Sequence, residues 1–134
     1  MNIPTIPRTA MMLVLGACAS DPIYFPPASE VVEDYVVAGQ LEGVNLIRKT
    51  DRDSWQYVND RYIIYRGRPN EYLIEFRHNC EGLDDNGRLP PIDIIHDHRN
   101  IRTSDTIRGC IVDKIYAISS VQRRELRQLG QPAG

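Results

Sequence analysis

The sequence predicts a mainly β domain of the α+β class: a small antiparallel sheet or partly open barrel with a C-terminal helix and one disulfide. Short runs rich in β-branched and aromatic residues follow one another between positions 43 and 76, each closed by Gly, Pro, Asn or Asp. Residues 110–118 make a longer apolar stretch broken only by Asp113 and Lys114, which reads as a nearly buried strand. Beyond it, Ser119 and Gln122 have the spacing of a capping box. Val121, Leu126 and Leu129 can share one side of a helix that stops at Gly130, with Pro132 behind it.

Residues 1–17 read as a lipoprotein signal peptide. An apolar stretch over 10–17 follows Arg8, and no acidic residue precedes Asp21, which is the layout of a secretory signal. As a helix this stretch would cover about 12 Å, well short of the roughly 20 residues needed to cross a bilayer. Leu15-Gly16-Ala17-Cys18 resembles the bacterial lipobox, and that resemblance implies cleavage before Cys18 and acylation of its thiol. Acyl chains contribute about 0.8 kcal/mol per buried methylene, enough together to hold a protein at a membrane surface. The expected location is the bacterial cell envelope, with the domain facing the periplasm. Ala19, rather than an acidic residue, follows Cys18, which resembles the outer-membrane default of enteric-type sorting. Residues 18–28 carry Pro22, Pro26 and Pro27 without periodicity and read as a lipidated tether.

Assigning Cys18 to the lipid leaves Cys80 and Cys110, and an even remainder in an exported chain points to a disulfide; the other reading is two buried free thiols or part of a metal site. In the chain-entropy model, closing a loop of this length removes about 3–4 kcal/mol of unfolded-state freedom. Residues 29–130 suffice for one domain with one modest core, followed by a tail over 131–134. The chain has 16 Lys and Arg against 18 Asp and Glu, a net charge of −2 that gives no general attraction to nucleic acid.

Within the domain, Ser29 is placed to cap a helix running to 38, with Val31, Val32, Tyr35 and Val36 on one side and Glu30, Glu33 and Asp34 near its N-terminus. Its Val-Val pairs would also suit a strand. Residues 43–48, 54–58, 61–65 and 71–76 are strand candidates, and the Asn59-Asp60 and Gly67-Arg68-Pro69-Asn70 separators are turn chemistry. They predict an antiparallel meander of three or four strands. In the last of them Tyr72, Ile74 and Phe76 fall on one face, with Leu73 and Glu75 on the other. A polar loop over 82–87, the Pro90-Pro91 pair, a short apolar run at 92–95 and a mostly polar stretch at 97–109 lead to the last strand.

Read together with the lipobox, Trp55, Asp60, Tyr72-Leu73-Ile74, the corner from Cys80 to Leu83 and the strand Cys110-Ile111-Val112-Asp113-Lys114-Ile115 resemble a group of small exported proteobacterial proteins catalogued as a domain of unknown function. The likeness covers roughly residues 42–118, and the paired cysteines are its most specific part. It implies a periplasm-facing, often lipid-anchored domain without an assigned activity.

Three groups of residues invite a functional reading. His96-Asp97-His98 puts two imidazoles on one side of an extended segment, and His78 could join them around a transition metal; the other reading is exposed histidines in a charged loop. The Asp84-Asp85 pair lacks the alternate-position oxygens of an EF-hand. No serine lies in a Gly-x-Ser-x-Gly or Ser-x-x-Lys setting that would activate a nucleophile. Trp55, Tyr57, Tyr62 and Tyr65 lie on adjoining strands, where an exposed aromatic face beside Arg61, Arg66 and Arg68 would dock a protein partner or a glycan. The competing reading, and the stronger one, is that these aromatics fill the core, because a domain of this size has few other large side chains to bury.

These readings predict a non-enzymatic envelope lipoprotein without a cofactor, an accessory or interaction module. Its partners would be the membrane, through the anchor, and an envelope protein. The alternative is a periplasmic metal-binding protein using His78, His96 and His98.

Overall fold

The chain builds helix α1 (Ser29–Ala38), strands β1 (Glu42–Val44), β2 (Leu46–Arg48), β3 (Ser54–Tyr57), β4 (Tyr62–Arg66), β5 (Glu71–Phe76), β6 (Asn100–Arg102), β7 (Thr106–Ile107) and β8 (Cys110–Ile118), and helix α2 (Ser120–Gln128). The computed structural model describes residues 23–50, 52–81, 83 and 99–132. The main sheet has the order β1-β8-β5-β4-β3, every pair antiparallel, and β7 also pairs with β8. β1 and β3 end the sheet without meeting, so it is open rather than a closed barrel. A separate ladder joins β2 to β6.

The expected meander is β3-β4-β5. The run at 43–48 does not extend it, because it divides at Asn45: β1 pairs with the end of β8, while β2 leaves the sheet to pair with β6. β6 and β7 come from a stretch read as merely polar. Each has one buried residue, Ile101 or Ile107, which is too short a pattern to register as an alternating strand.

Both faces of the main sheet are covered. The β2–β6 ladder lies over a core of Ile47, Tyr57, Ile63, Tyr65, Ile74, Phe76, Ile101 and Ile115. The two helices lie over a second core of Val32, Val36, Val58, Tyr62, Ile64, Leu73, Ile118 and Leu126. This explains why β4 is buried at four successive positions instead of alternating.

The helices differ in how they begin. Ser119 caps α2 reciprocally with Gln122: the Gln122 amide donates to the Ser119 hydroxyl (3.1 Å) and the Ser119 amide donates to Oε1 of Gln122 (2.9 Å). Only Leu126 of the expected apolar side is fully buried, and Val121 is 55% exposed. α1 spans the expected residues, but Ala28 rather than Ser29 occupies its cap position, with no side-chain cap bond. The Ser29 hydroxyl instead accepts from Nδ2 of Asn59 (3.2 Å).

The Cys80–Cys110 disulfide joins the end of β5 to the start of β8, with the two Cα atoms 5.7 Å apart. It closes the base of the connection that leads out to residues 84–98.

The segment read as a tether through residue 28 is fastened to the domain from Tyr24 onward. The Tyr24 hydroxyl donates to the Val58 carbonyl (2.7 Å), and its ring meets Tyr57 edge-on at 6.1 Å. The Arg127 guanidinium sits 3.8 Å from the centre of that ring. Pro27 is buried, its carbonyl accepts from Asn59 (3.0 Å), and Gln131 donates to the Phe25 carbonyl (3.0 Å). Proline content alone reads as free linker; specific contacts to α2 and the β3–β4 turn override it.

Candidate functional site

The covered sheet decides the fate of the aromatic residues. Tyr57, Tyr62 and Tyr65 are 3%, 2% and 0% exposed, and Trp55 is half-buried with its ring 4.9 Å from that of Tyr65. An exposed aromatic face is therefore not formed; these side chains are core. Their hydroxyls are all engaged. Tyr57 donates to Asp60 (2.5 Å), Tyr62 donates to Oε1 of Glu75 (2.6 Å), and Tyr65 accepts from the Thr50 amide (2.9 Å). Burial and the Glu75 carboxylate hold the Tyr62 hydroxyl far above the ordinary tyrosine pKa. Arg66 turns onto Glu71 (3.3 Å), which also receives Arg123 from α2.

His78 is exposed near the disulfide corner, while His96, His98 and Cys18 lie outside the described residues. Among the described residues no three His, Cys, Asp or Glu side chains gather as a metal would require.

A cleft of about 400 Å³ opens instead between β2 and the β4–β5 turn. It is assembled from Leu46 and Arg48 of β2, Thr50 just beyond it, the turn residues Gly67, Arg68, Pro69 and Asn70, and Tyr72 of β5. The two sides are tied to each other. The turn is closed by the Gly67 amide donating to the Asn70 carbonyl (2.9 Å), and the Arg68 amide donates across to the Thr50 hydroxyl (3.4 Å). Thr50 is in turn held by the buried Tyr65 hydroxyl. Gly67 lies against that ring so closely that a Cβ there would stand 2.9 Å from Cε1 of Tyr65.

The cleft pairs a charged rim with apolar walls. Arg48 and Arg68 are both exposed, and neither guanidinium meets a carboxylate among the described residues. Leu46, Pro69 and Tyr72 supply the apolar surface. The turn is legible in the sequence, with Arg68 in it. What could not be read was its pairing with Arg48, because β2 reaches this place only by leaving the sheet to join β6.

A second concavity, about 550 Å³, lies along the helices between Tyr35 and the outer side of α2, with Val121 and Leu129 as its apolar lining. It is shallower, and its polar lining of Arg124, Glu125 and Gln128 pairs a guanidinium with a carboxylate instead of bringing two guanidiniums together.

No curated protein and no solved structure matches the chain. The model of DUF6491, a family of unknown function, matches residues 1–132, and the chain therefore belongs to that family.

Proposed function

We propose that this protein is a non-enzymatic interaction module of the bacterial envelope, exported, acylated at Cys18 and facing the periplasm, with the outer membrane favoured over the inner. The observation that carries this reading is the Cys80–Cys110 disulfide, since such bonds form and persist in oxidising compartments and are rare in the cytosol. The apolar leader and the lipobox-like Leu15-Gly16-Ala17-Cys18 support the same compartment. The fastening of Tyr24 adds a geometric consequence. Five steps of chain separate Cys18 from Ile23, a reach of at most about 18 Å, so the anchor would hold the β3–β4 turn and the end of α2 close to the lipid.

The opposite end of the sheet carries the cleft. Strand β4 runs between the two turns, and its four steps from Tyr62 to Arg66 span about 13 Å. An accessory module held in this way offers the cleft to the periplasm rather than to the bilayer.

The test is the intact mass of the protein extracted from its native membranes, before and after reduction with thiol alkylation. A mass starting at acylated Cys18, with two thiols appearing only on reduction, supports the proposal. An unprocessed chain with free thiols overturns it.

A further inference from the structure

We propose that the cleft between β2 and the β4–β5 turn binds an organic carboxylate, gripped by Arg48 and Arg68, with the apolar body of the ligand against Leu46, Pro69 and Tyr72. This gives the interaction module a ligand class, and it does not depend on the lipid anchor.

Size comes first. At about 400 Å³ the cleft falls within the range of small-molecule sites, about 300–1,000 Å³.

Charge is the second argument. Four other arginines are engaged within the domain: Arg61 faces Glu75, Arg66 and Arg123 meet Glu71, and Arg127 covers Tyr24 while donating to the Tyr57 carbonyl. Arg48 and Arg68 rim the cleft with no carboxylate of the described residues upon them. On a chain whose net charge is −2, two guanidiniums at one concavity, without an ion pair among the described residues, form a local anion site. The planar guanidinium fork matches a carboxylate in two-point geometry.

Preorganisation is the third. The Thr50 amide donates to the Tyr65 hydroxyl and the Thr50 hydroxyl accepts from the Arg68 amide, which ties the turn to the residues just beyond β2. The Tyr72 ring that forms the wall rests on the Tyr65 ring at 6.3 Å. One fully buried tyrosine thus positions both sides of the cleft, which limits the ordering cost of binding. Leu46, Pro69 and Tyr72 give the cleft apolar surface that favours a ligand with an organic body over a bare inorganic ion.

The test titrates the full, disulfide-bonded chain with N-acetylphenylalanine, with its uncharged amide and with inorganic phosphate, following backbone amide resonances. Saturable shifts at Thr50, Gly67, Arg68 and Asn70 are expected with the acid alone. Arg48→Ala and Arg68→Ala should each weaken it by about tenfold or more, the scale of one charge-assisted hydrogen bond. Both side chains are exposed, and unchanged resonances for Ile63 and Ile74 certify the fold of each variant. Equal binding of the amide overturns the role of the arginines, and equal binding of phosphate overturns the need for an organic body. Shifts at Tyr35 and Val121 instead would overturn the location. Failure to saturate by about 10 mM, weaker than the millimolar range, would overturn the site itself.

Discussion

Arg123 of α2 donates through Nε to Oε1 of Glu71 on β5 at 2.9 Å, bridging 52 positions of sequence. Arg66 reaches the same oxygen at 3.3 Å. Glu71 and Arg123 have only 9% and 14% of their side-chain surface exposed, so this pair pins the capped end of α2 to the sheet in a poorly solvated place. Removing one partner of a buried pair strands the other. Glu71→Ala is expected to lower stability by about 3 kcal/mol, read from urea unfolding. A double-mutant cycle with Arg123→Met should recover a coupling of about 1–3 kcal/mol; a coupling near zero would mean that Leu126 and the Arg127 contacts hold the helix without this pair.

Asn59 works in both directions at the β3–β4 turn. Its Oδ1 accepts from the Arg61 and Tyr62 amides (2.8 and 2.9 Å), and its Nδ2 donates to the Pro27 carbonyl and the Ser29 hydroxyl (3.0 and 3.2 Å). Asn59→Ala leaves partly buried groups unpaired and should cost about 2–3 kcal/mol. Asn59→Asp keeps the acceptor and loses the donors, so it should spare the hairpin and loosen the segment before α1. Limited proteolysis between 23 and 29 separates the two: faster cutting in Asn59→Asp with an unchanged hairpin is the expected result.

The tyrosines set an alkaline limit. Burial raises the pKa of Tyr24, Tyr35, Tyr62, Tyr65 and Tyr116, most strongly that of Tyr62, whose hydroxyl also donates to Glu75. A raised folded-state pKa means that the folded protein holds its proton where the unfolded chain releases it. The associated stability is complete below the ordinary value of 10.0 and is lost as pH rises beyond it. Stability should therefore fall with pH above about 10. Tyr62→Phe should make that fall shallower while lowering stability at pH 7, because Glu75 loses its donor. Urea midpoints across pH 8 to 11.5 measure both; an unchanged slope would exclude Tyr62 as the main contributor.

Local signals were strong enough to find what the chain does locally. The meander β3-β4-β5, the long β8, the α2 capping box and the cysteine pair all rest on nearby residues whose chemistry has one good reading. Elements defined by distant partners were not legible. β6 and β7 exist because β2 and β8 offer edges to them, and Asn45 divides one β-branched run between two sheets. The cleft suffers the same fate as a site: Arg48 and Arg68 are separated by 20 positions and meet only through the departure of β2. The docking of residues 24–27 is hidden from the sequence for a related reason. Pro26 and Pro27 exclude regular pairing but not docking, and the contacts that dock Tyr24 come from Tyr57 and Val58, more than 30 residues away, and from Arg127, more than 100 residues away.

That docking makes a test of its own at Gly130. The segment 25–27 crosses the end of α2 with its backbone against Gly130, where a Cβ would stand 2.6 Å from the Pro27 nitrogen and 2.8 Å from the Pro26 carbonyl carbon. Backbone cannot swing aside as a flexible side chain can, so Gly130→Ala must displace either the segment or the helix end. Leu126 is fully buried in the second core and Arg123 holds Glu71, which fixes the helix. The segment is the part that yields. Gly130→Ala is expected to release Tyr24 from the Val58 carbonyl and from Arg127, exposing 23–28 to protease while costing about 1–2 kcal/mol in stability. Tyr24→Ala should reproduce the release without any steric strain at Gly130. If Gly130→Ala instead destabilised α2 and left 23–28 protected, the short reach from Cys18 to the domain would still hold, and the helix end would be the weaker of the two partners.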